Sequence, residues 1–528
     1  MKARVLVVIA VLGLMVGTAT PQTVAPQDVK AVLQAAATAM GMNNLKTIQY
    51  SGTGTIRIFG QSYSVNDDWP RVDMPAYTRT IDYGAMYSRE EMTRRQGNNP
   101  PRGGGFQPLQ GDQKSISVSS GKYAWNINPT NNNVTPALAD AEQREIEIIL
   151  TPHGFIKAAM EAKDATAVTL MMALDDGTIR KTAGPGGRKV TYVAFTALGK
   201  YKVSGAIDDQ NMVERTQTWI GNPVLGDLIW QFDYKDYKDS GGVKFPSNIH
   251  QHAGDIRNTT HHGIDVNMTD VKPNVTVAAV TVPDAVRNAT AQPVRVESSK
   301  VADGVWVIAG GSHNSMAVEF KDFITVVEAP LSEERSLAVI KEAQKLIPNK
   351  PIRYLVMTHH HFDHSSGIRA YVAQGSILVT HQMDKEYFDK LAFYPYPRMM
   401  QPDLLSTYYP RFAANKLPVF ETVNPSPESK SKLVLSDGKR TMEMHHVQGL
   451  QHAADMLMVY LPTERILVNA DLYSPPAAGA TAPPPNPSMI TFNNNIKRLK
   501  LDVGTHVPIH GRVGTNDEFV KIMGASSN

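Results

Sequence analysis

The sequence predicts an α+β protein in two parts, a largely antiparallel sheet followed by a layered α/β region. Between Leu45 and about Val266, short alternating apolar runs recur with turn residues between them, as in antiparallel strands. After residue 295, apolar strands alternate with helical patterns, as in a layered α/β domain. The chain has 528 residues, so two or three domains are expected.

The first part is predicted to begin with a helix over residues 28–41, whose first aspartate is a suitable N-cap. Strand patterns follow, among them Ile56-Arg57-Ile58 and Tyr63-Ser64-Val65. One helix over Ala137 to Leu150 and another that starts at Thr151-Pro152 interrupt them. We therefore expect a sheet with a few helices laid against it.

Three segments follow from these patterns: a signal peptide over residues 1–19, an antiparallel-sheet domain of unknown role over 28–285, and a catalytic domain over 295–528. The residues between the two domains, 285–295, carry no strong pattern. In outline, the sheet domain resembles the periplasmic lipoprotein-carrier type of fold.

Composition excludes several classes of function. The net charge is +3 and no long basic block occurs, so nothing predicts a nucleic acid as partner. The hydrophobic share of 42% and the charged share of 20% are typical of a folded globular protein. Because the chain has no cysteine, disulfides are excluded, and any metal site must use His, Asp or Glu.

The N-terminus is typical of a secretory signal. Lys2 and Arg4 precede an apolar run from Val5 to Val16, and Gly17-Thr18-Ala19 offers small residues for cleavage. The alternative is an uncleaved anchor, although the run is short for a membrane span. We therefore expect a periplasmic or secreted protein with no stable membrane span after cleavage.

The most informative stretch is Thr358-His359-His360-His361-Phe362-Asp363-His364. It follows an apolar strand, 352–357, and precedes a helical pattern, so several of its side chains can point at one spot. Zinc takes imidazole nitrogen and carboxylate oxygen as ligands. The spacing H-x-H-x-D-H therefore predicts a metal site.

Three later residues are further candidates, and each stands beside the end of an apolar strand. His452 lies in a turn ahead of the strand over residues 456–461. Asp471 ends the run Leu467-Val468-Asn469-Ala470, and His510 follows Val507-Pro508-Ile509.

Taken in order, these segments resemble the ligand pattern of the metallo-β-lactamase-fold hydrolases, from about Ala302 to the C-terminus. The resemblance implies an αββα sandwich with two zinc ions at one edge. It also implies that Asp471 bridges the ions and that Asp363 orients the attacking water. The implied ligands of the first ion are His359, His361 and His452, and those of the second are Asp363, His364 and His510. Iron or manganese is the alternative to zinc.

The other histidines have more ordinary interpretations. His360 stands between two ligands and is expected to point away from the metals. His313 is an open case, because its loop can approach the metal edge. Packing or supporting roles are favoured for His445 and His446, and surface or strand roles for His250, His252, His261 and His262.

Three features of the predicted site depart from the family or stay open. Glu328 stands where many family members have aspartate, and it either supports the site or faces elsewhere. A proline-rich loop over residues 474–487 follows Asp471. The aromatic stretch from Tyr387 to Tyr409 predicts either a lid over an apolar pocket or a contact with the first domain.

The resemblance implies an exported dinuclear zinc hydrolase in which a metal-activated water attacks an ester, a lactone or a related acyl substrate with an apolar portion. A β-lactam- or phosphoester-hydrolysing member of the same fold is the alternative. A hypothesis of another class is a periplasmic carrier of hydrophobic ligands whose zinc domain is auxiliary.

Overall fold

A computed structural model describes residues 27–172, 188–255, 258–389, 398–408, 418–424, 432–477 and 479–524. The predicted signal peptide, residues 1–19, lies outside these ranges. Within them the chain forms three β-sheets with helices packed against them. No helix of the described ranges is long and apolar enough to cross a bilayer.

The first sheet occupies residues 47–273, and its thirteen strands pair antiparallel in the order β6-β5-β4-β3-β2-β1-β13-β12-β11-β10-β9-β8-β7. This confirms the predicted antiparallel sheet. Its strands are β1 (Thr47–Arg57), β2 (Arg71–Asp82), β3 (Tyr87–Arg95), β4 (Gln113–Ser120), β5 (Tyr123–Ile127), β6 (Val134–Pro136), β7 (Thr166–Met172), β8 (Arg188–Ala197), β9 (Tyr201–Ile207), β10 (Val213–Asn222), β11 (Gly226–Ser240), β12 (Val243–Asp255) and β13 (Asn258–Pro273).

Four helices accompany this sheet in the described ranges: α1 (Val29–Ala39), α2 (Ala141–Ile149), α3 (Pro152–Glu161) and the short α4 (Asp284–Arg287), whose Val286 packs against Val118 and Trp125. The predicted caps are present, since the Asp28 carboxylate accepts from the N–H of Lys30 and Thr151 Oγ1 accepts from the N–H of Gly154. The helix expected over 137–150 is shorter, because a 3-10 turn over Leu138–Asp140 precedes α2.

The strand predicted at Tyr63-Ser64-Val65 is wrong. Residues 58–70 form the connection between β1 and β2, which is called the β1–β2 loop below. Its backbone bonds outside the sheet, since the carbonyl of Tyr63 accepts from the N–H of Ala454, 2.7 Å away. Alternation of polar and apolar residues alone did not reveal this tertiary contact.

The second part contains two further sheets. The seven-stranded sheet is β14 (Glu297–Ala302), β15 (Val305–Gly310), β16 (His313–Glu319), β17 (Ile324–Val327), β18 (Ile352–Val356), β19 (Ile377–His381) and β20 (Phe420–Val423). The six-stranded sheet is β21 (Lys432–Ser436), β22 (Thr441–His446), β23 (Leu457–Leu461), β24 (Ile466–Asn469), β25 (Thr505–Pro508) and β26 (Gly514–Thr515). The helices of this part are α5 (Glu333–Leu346), α6 (Phe362–Ser365), α7 (Ile368–Ala373), α8 (Gln382–Tyr387), α9 (Leu404–Tyr408), α10 (Pro487–Leu499) and α11 (Asn516–Gly524).

The two sheets pack face to face, and helices cover their outer sides. On β15, Val305 and Val307 point into the core shared with the six-stranded sheet, whereas Trp306 and Ile308 face the core under α5 and α7. Phe492 of α10 and Phe519 of α11 close the other side. This is the expected αββα layering, and alternation along the strands produces it.

Candidate metal centre

The histidine turn, residues 359–364, lies where β18 ends, between the two sheets. The Leu457 N–H of β23 donates to the Thr358 carbonyl at 2.7 Å, so the turn is attached to the opposite sheet. Asp471 follows β24 and His510 follows β25, two parallel neighbours that end at the same edge. This shared edge explains how segments distant in sequence meet.

All seven predicted residues converge there, in two groups. In the first, the donor atoms of His359, His361, His452 and Asp471 all lie within 4.8 Å of one another. His359 Nε2 is 2.9 Å from His361 Nδ1 and 3.3 Å from Asp471 Oδ2. His452 Nε2 is 3.2 Å from the same carboxylate oxygen.

The second group meets the same distance limit and consists of Asp363, His364, His510 and also His313. His313 Nε2 is 3.5 Å from Asp363 Oδ2, and its ring lies 4.0 Å from that of His510. The structure therefore brings His313, left open by the sequence, beside the predicted ligands.

Asp471 stands between the two groups. Its Oδ2 is 3.0 Å from His364 Nε2, and its Oδ1 is 3.0 Å from His510 Nε2. Its backbone has φ 58°, a left-handed conformation that residues other than glycine rarely adopt. The turn after β24 thus holds this carboxylate in the middle at the expense of local strain.

The charges of the cluster follow from burial and from mutual contact. Burial, together with the neighbouring imidazoles, holds the pKa of His359 and of His361 well below the usual value, so both rings are neutral near pH 7. Burial alone would raise the pKa of Asp471, but His364 and His452 lower it well below its usual range. Neutral imidazole and ionised carboxylate are the forms that bind metal ions.

Hydrogen bonds from outside the cluster orient the predicted ligands. The buried Glu328 accepts from His364 Nδ1 at 2.7 Å and from the Thr358 N–H at 2.8 Å. The Ser312 carbonyl accepts from His510 Nδ1 at 3.2 Å. Such partners fix which ring nitrogen faces a metal. Of the two readings of Glu328, the structure shows the supporting one.

The first part of the chain also borders this centre, through the β1–β2 loop. His361 Nε2 donates to the Ser62 carbonyl at 2.8 Å, which leaves Nδ1 of that ring to face the cluster. Gln61 Nε2 donates to Asp363 Oδ1 at 2.8 Å. Nothing in the sequence predicted these roles for Gln61 and Ser62, because 302 positions separate Gln61 from Asp363.

A second N-terminal segment lies against the same turn. The N–H of Gly103 donates to the Gln451 carbonyl, next to His452, at 2.9 Å. A Cβ at Gly104 would come within 2.8 Å of His361 Cε1 and 1.9 Å of Gln61 Oε1. Only glycine fits so close an approach.

His360 points away, as expected, into a buried network. Its Nδ1 donates to Asp455 at 2.9 Å, and its Nε2 lies 2.9 Å from Ser62 Oγ. His445 and His446, for which packing or supporting roles were favoured, also lie outside the centre. His445 bonds Glu443, and His446 donates to the Ala454 carbonyl.

Of the aromatic stretch from Tyr387 to Tyr409, residues 390–397 and residue 409 lie outside the described ranges. The described flank contacts the first part of the chain. Arg398 donates to the carbonyls of Asn222 and Pro223, and the N–H of Met399 donates to Asp227.

The αββα layers and the cluster of histidines and aspartates at their edge define the class to which this domain belongs. Comparison with known sequences gives the family of the domain. Residues 308–510 match the sequence profile of the metallo-beta-lactamase superfamily. The chain therefore carries a domain of this superfamily of metal-dependent hydrolases.

Similar proteins were found by sequence and by structure. A linear primary-alkylsulfatase from Pseudomonas sp is 32% identical over 79 residues, which are 15% of this chain and 12% of that protein. A metallo-beta-lactamase from Pontibacter korlensis is 18% identical at a TM-score of 0.31, covering 44% of this chain and 100% of its own. The metallo-beta-lactamase FIM-1 from Pseudomonas aeruginosa, in its mono-zinc form, is 20% identical at a TM-score of 0.31. The match covers 45% of this chain and 99% of that chain.

Proposed function

We propose that this protein binds two divalent metal ions, zinc by preference, at the edge of its αββα domain and hydrolyses esters with an apolar portion. One observation carries the proposal. Seven candidate ligands from four separate segments meet in two adjacent groups, inside the stretch that matches the superfamily.

The residues fit such ions. His452 Nε2, His313 Nε2 and Asp471 Oδ2 are buried and make no hydrogen bond of good geometry, although each lies 3.0–3.5 Å from another side chain of the cluster. Buried polar atoms are rarely left unpaired, so three of them at one place favour a cation there. His359, His361 and His452 would hold one ion, and Asp363, His364 and His510 the other, with Asp471 between them. Iron or manganese suits the same nitrogen and oxygen donors.

When bound, such a pair of cations lowers the pKa of a water molecule and stabilises negative charge that develops on a substrate oxygen. Asp363 orients the attacking water. Burial opposes its ionisation, but His313 and the nearby His364 hold the pKa of its carboxyl well below the usual range. It is therefore ionised near pH 7 and can accept a hydrogen bond from the attacking water, while Gln61 keeps the carboxylate in place.

The apolar portion of the substrate is inferred from the segment around Gly104, which lies against the histidine turn. Phe106, two residues from Gly104, is 96% exposed. An exposed phenylalanine on the segment that lies against the histidine turn is a suitable contact for an alkyl or aryl group. Carboxylic esters and lactones are the leading substrates.

A sulfate ester of a long-chain alcohol is the second candidate, favoured by the similarity to the linear primary-alkylsulfatase. Export to the periplasm or medium belongs to this proposal too, and it depends on the signal-like residues 1–19. N-terminal sequencing of protein recovered outside the cytoplasm checks it, and an intact Met1 there would contradict cleavage.

The carrier hypothesis has its own support. A cavity of about 230 Å³ lies between the first sheet and α2 and is lined by Phe59, Trp230 and Phe232, but also by Arg79 and Glu90. If the full chain bound a fluorescent fatty acid without turning over any ester, the carrier role would replace the enzymatic one.

The decisive experiment is a substrate panel with the zinc-loaded full chain. It compares p-nitrophenyl esters of rising chain length, homoserine lactones, dodecyl sulfate, nitrocefin and a phosphodiester. We expect turnover of the esters, with kcat/KM rising with chain length. Preference for dodecyl sulfate selects the second candidate, and activity only on nitrocefin or the phosphodiester contradicts the ester proposal.

A further inference from the structure

A second group of histidines lies on the first sheet, well apart in sequence from the candidate active site. His250 and His252 are two residues apart on β12 and so share one face of the sheet. His262 of the neighbouring β13 is the cross-strand partner of His252. The donor atoms of the three imidazoles all lie within 4.8 Å of one another.

Each of these imidazoles meets a carboxylate from another part of the fold. His250 Nδ1 donates to Asp265 of β13 at 2.9 Å, and His262 Nδ1 donates to Asp68 of the β1–β2 loop at 3.1 Å. His252 Nε2 is 3.5 Å from Asp233 of β11. A carboxylate that accepts one ring N–H of a histidine orients the other nitrogen toward a metal, and histidine metal ligands usually have such a partner.

The carboxylates are themselves held in place. Arg215 Nε donates to Asp233 Oδ1 at 2.6 Å, and Arg57 Nη2 is 3.3 Å from Asp68 Oδ2. The three imidazoles and their three carboxylate partners are therefore arranged before any ion arrives.

The exposure of the three rings suits an exchangeable ion. The side chains of His250, His252 and His262 are 21%, 25% and 38% exposed, so solvent reaches them while the sheet holds their backbones. Three histidine ligands with one position open to solvent are a known arrangement for zinc.

We propose that His250, His252 and His262 form a third metal site, for Zn²⁺ or a similar divalent transition metal, separate from the pair at the αββα edge. Its ligands come from adjacent strands of the first sheet. Through Asp68, an ion there also restrains the β1–β2 loop that carries Gln61 and Ser62 to the histidine turn.

The test counts metal ions. The full chain is stripped with a chelator, reloaded with Zn²⁺, desalted and analysed by plasma mass spectrometry. We expect about three zinc per chain in the unaltered protein, two after His250→Gln with His262→Gln, and three after the control His445→Gln. His445 is a matched control because it also pairs with a carboxylate, Glu443, yet belongs to none of the clusters in the described ranges.

A gentler variant covers the case in which the double substitution disturbs the sheet. Asp265→Asn keeps all three imidazoles but weakens the partner of His250, so one Zn²⁺ should bind about 10- to 100-fold more weakly in a chelator competition. Equal zinc content and affinity in the unaltered, double and Asp265→Asn proteins would overturn the third site. Failure of the paired site is distinguishable, because it leaves one zinc that the double variant loses.

Discussion

The two histidine clusters of this protein are built in opposite ways. The one at the αββα edge collects side chains from turns that follow strands, and His359, His361 and His364 in it are completely buried. The one on the first sheet uses side chains that project from the strands themselves, and it is partly exposed. A turn can thus concentrate ligands within a few residues of sequence. A sheet face instead brings ligands together through the pairing register of neighbouring strands.

Register is hard to see in a sequence. The pairing of His252 with His262 depends on two irregularities between β12 and β13, one between His250 and His252 and one between Ala253 and Asp255. A shift of one residue would send the side chain of His262 to the other face of the sheet. The same histidines therefore appeared ordinary from spacing alone.

Asp471→Asn should cause the greatest loss of activity. Asparagine tolerates the left-handed backbone at this position but removes the charge between the two groups. We expect kcat/KM for the best ester to fall by at least about 10³-fold. Two zinc ions should be lost and the one on the first sheet kept, as measured by plasma mass spectrometry. Retained turnover would contradict a central role for Asp471.

A weaker effect is expected from Glu328→Gln, which alters a partner of a predicted ligand. The amide keeps the size of the side chain but weakens the bond to His364, so zinc affinity at the paired site should fall about 10- to 100-fold. Chelator competition measures this. The control Glu443→Gln changes a carboxylate that also bonds a histidine, His445, outside the clusters. Equal affinities in both variants would show that Glu328 only packs.

The contact between the two parts of the chain is tested by Gly104→Ala. The added methyl group would displace Gln61 from Asp363 and press on the ring of His361. We expect kcat to fall about 10-fold or more while zinc content stays the same, because small displacements of reacting groups are costly. Gly524→Ala is the control, since a Cβ there meets no atom of the described ranges within 4 Å. Unchanged kcat in both variants would show that the close approach of Gly104 to Gln61 and His361 does not affect turnover.

The smallest effect is expected at His153, a histidine outside the clusters. There the effect of burial on the pKa can be measured apart from metal binding. Burial lowers its pKa to about 4, and its Nε2 donates to the Met40 carbonyl. Because the folded pKa lies below the usual 6.5, the unfolded chain takes up the proton first, so stability is lost as pH falls from about 6.5 toward 4. This difference is worth about 3 kcal/mol at pH 4.

Urea unfolding of the metal-free protein at pH 7 and pH 4 measures this loss. His153→Gln can keep a hydrogen bond to Met40 and does not titrate, so it should lose about 3 kcal/mol less stability between the two pH values than the unaltered chain. An equal loss in both proteins would show that His153 is not buried neutral.

The sequence predicted the parts of the fold whose signals are local. The helix starts at Asp28 and Thr151 are confirmed, because the capping contacts span only a few residues. The αββα layering and the meeting of His359, His452, Asp471 and His510 were anticipated through the family resemblance. Spacing alone identifies ligands but not their meeting point.

What was missed depends on contacts between distant segments. Tyr63 was assigned to a strand because its surroundings alternate, yet its carbonyl bonds Ala454 in the other part of the chain. Gln61 and Ser62 carry no motif, and their roles exist only because the β1–β2 loop reaches the histidine turn. No local pattern encodes a contact across some 300 positions.

The contact between the β1–β2 loop and the histidine turn also limits when the centre can form during synthesis. Gln61 leaves the ribosome long before Asp363 is made, so the β1–β2 loop has no counterpart while the 302 positions between them are translated. The candidate metal centre therefore cannot be complete before His510 has been synthesised. A nascent or truncated chain that stops short of His510 lacks one of the predicted ligands, even if its first sheet has already folded.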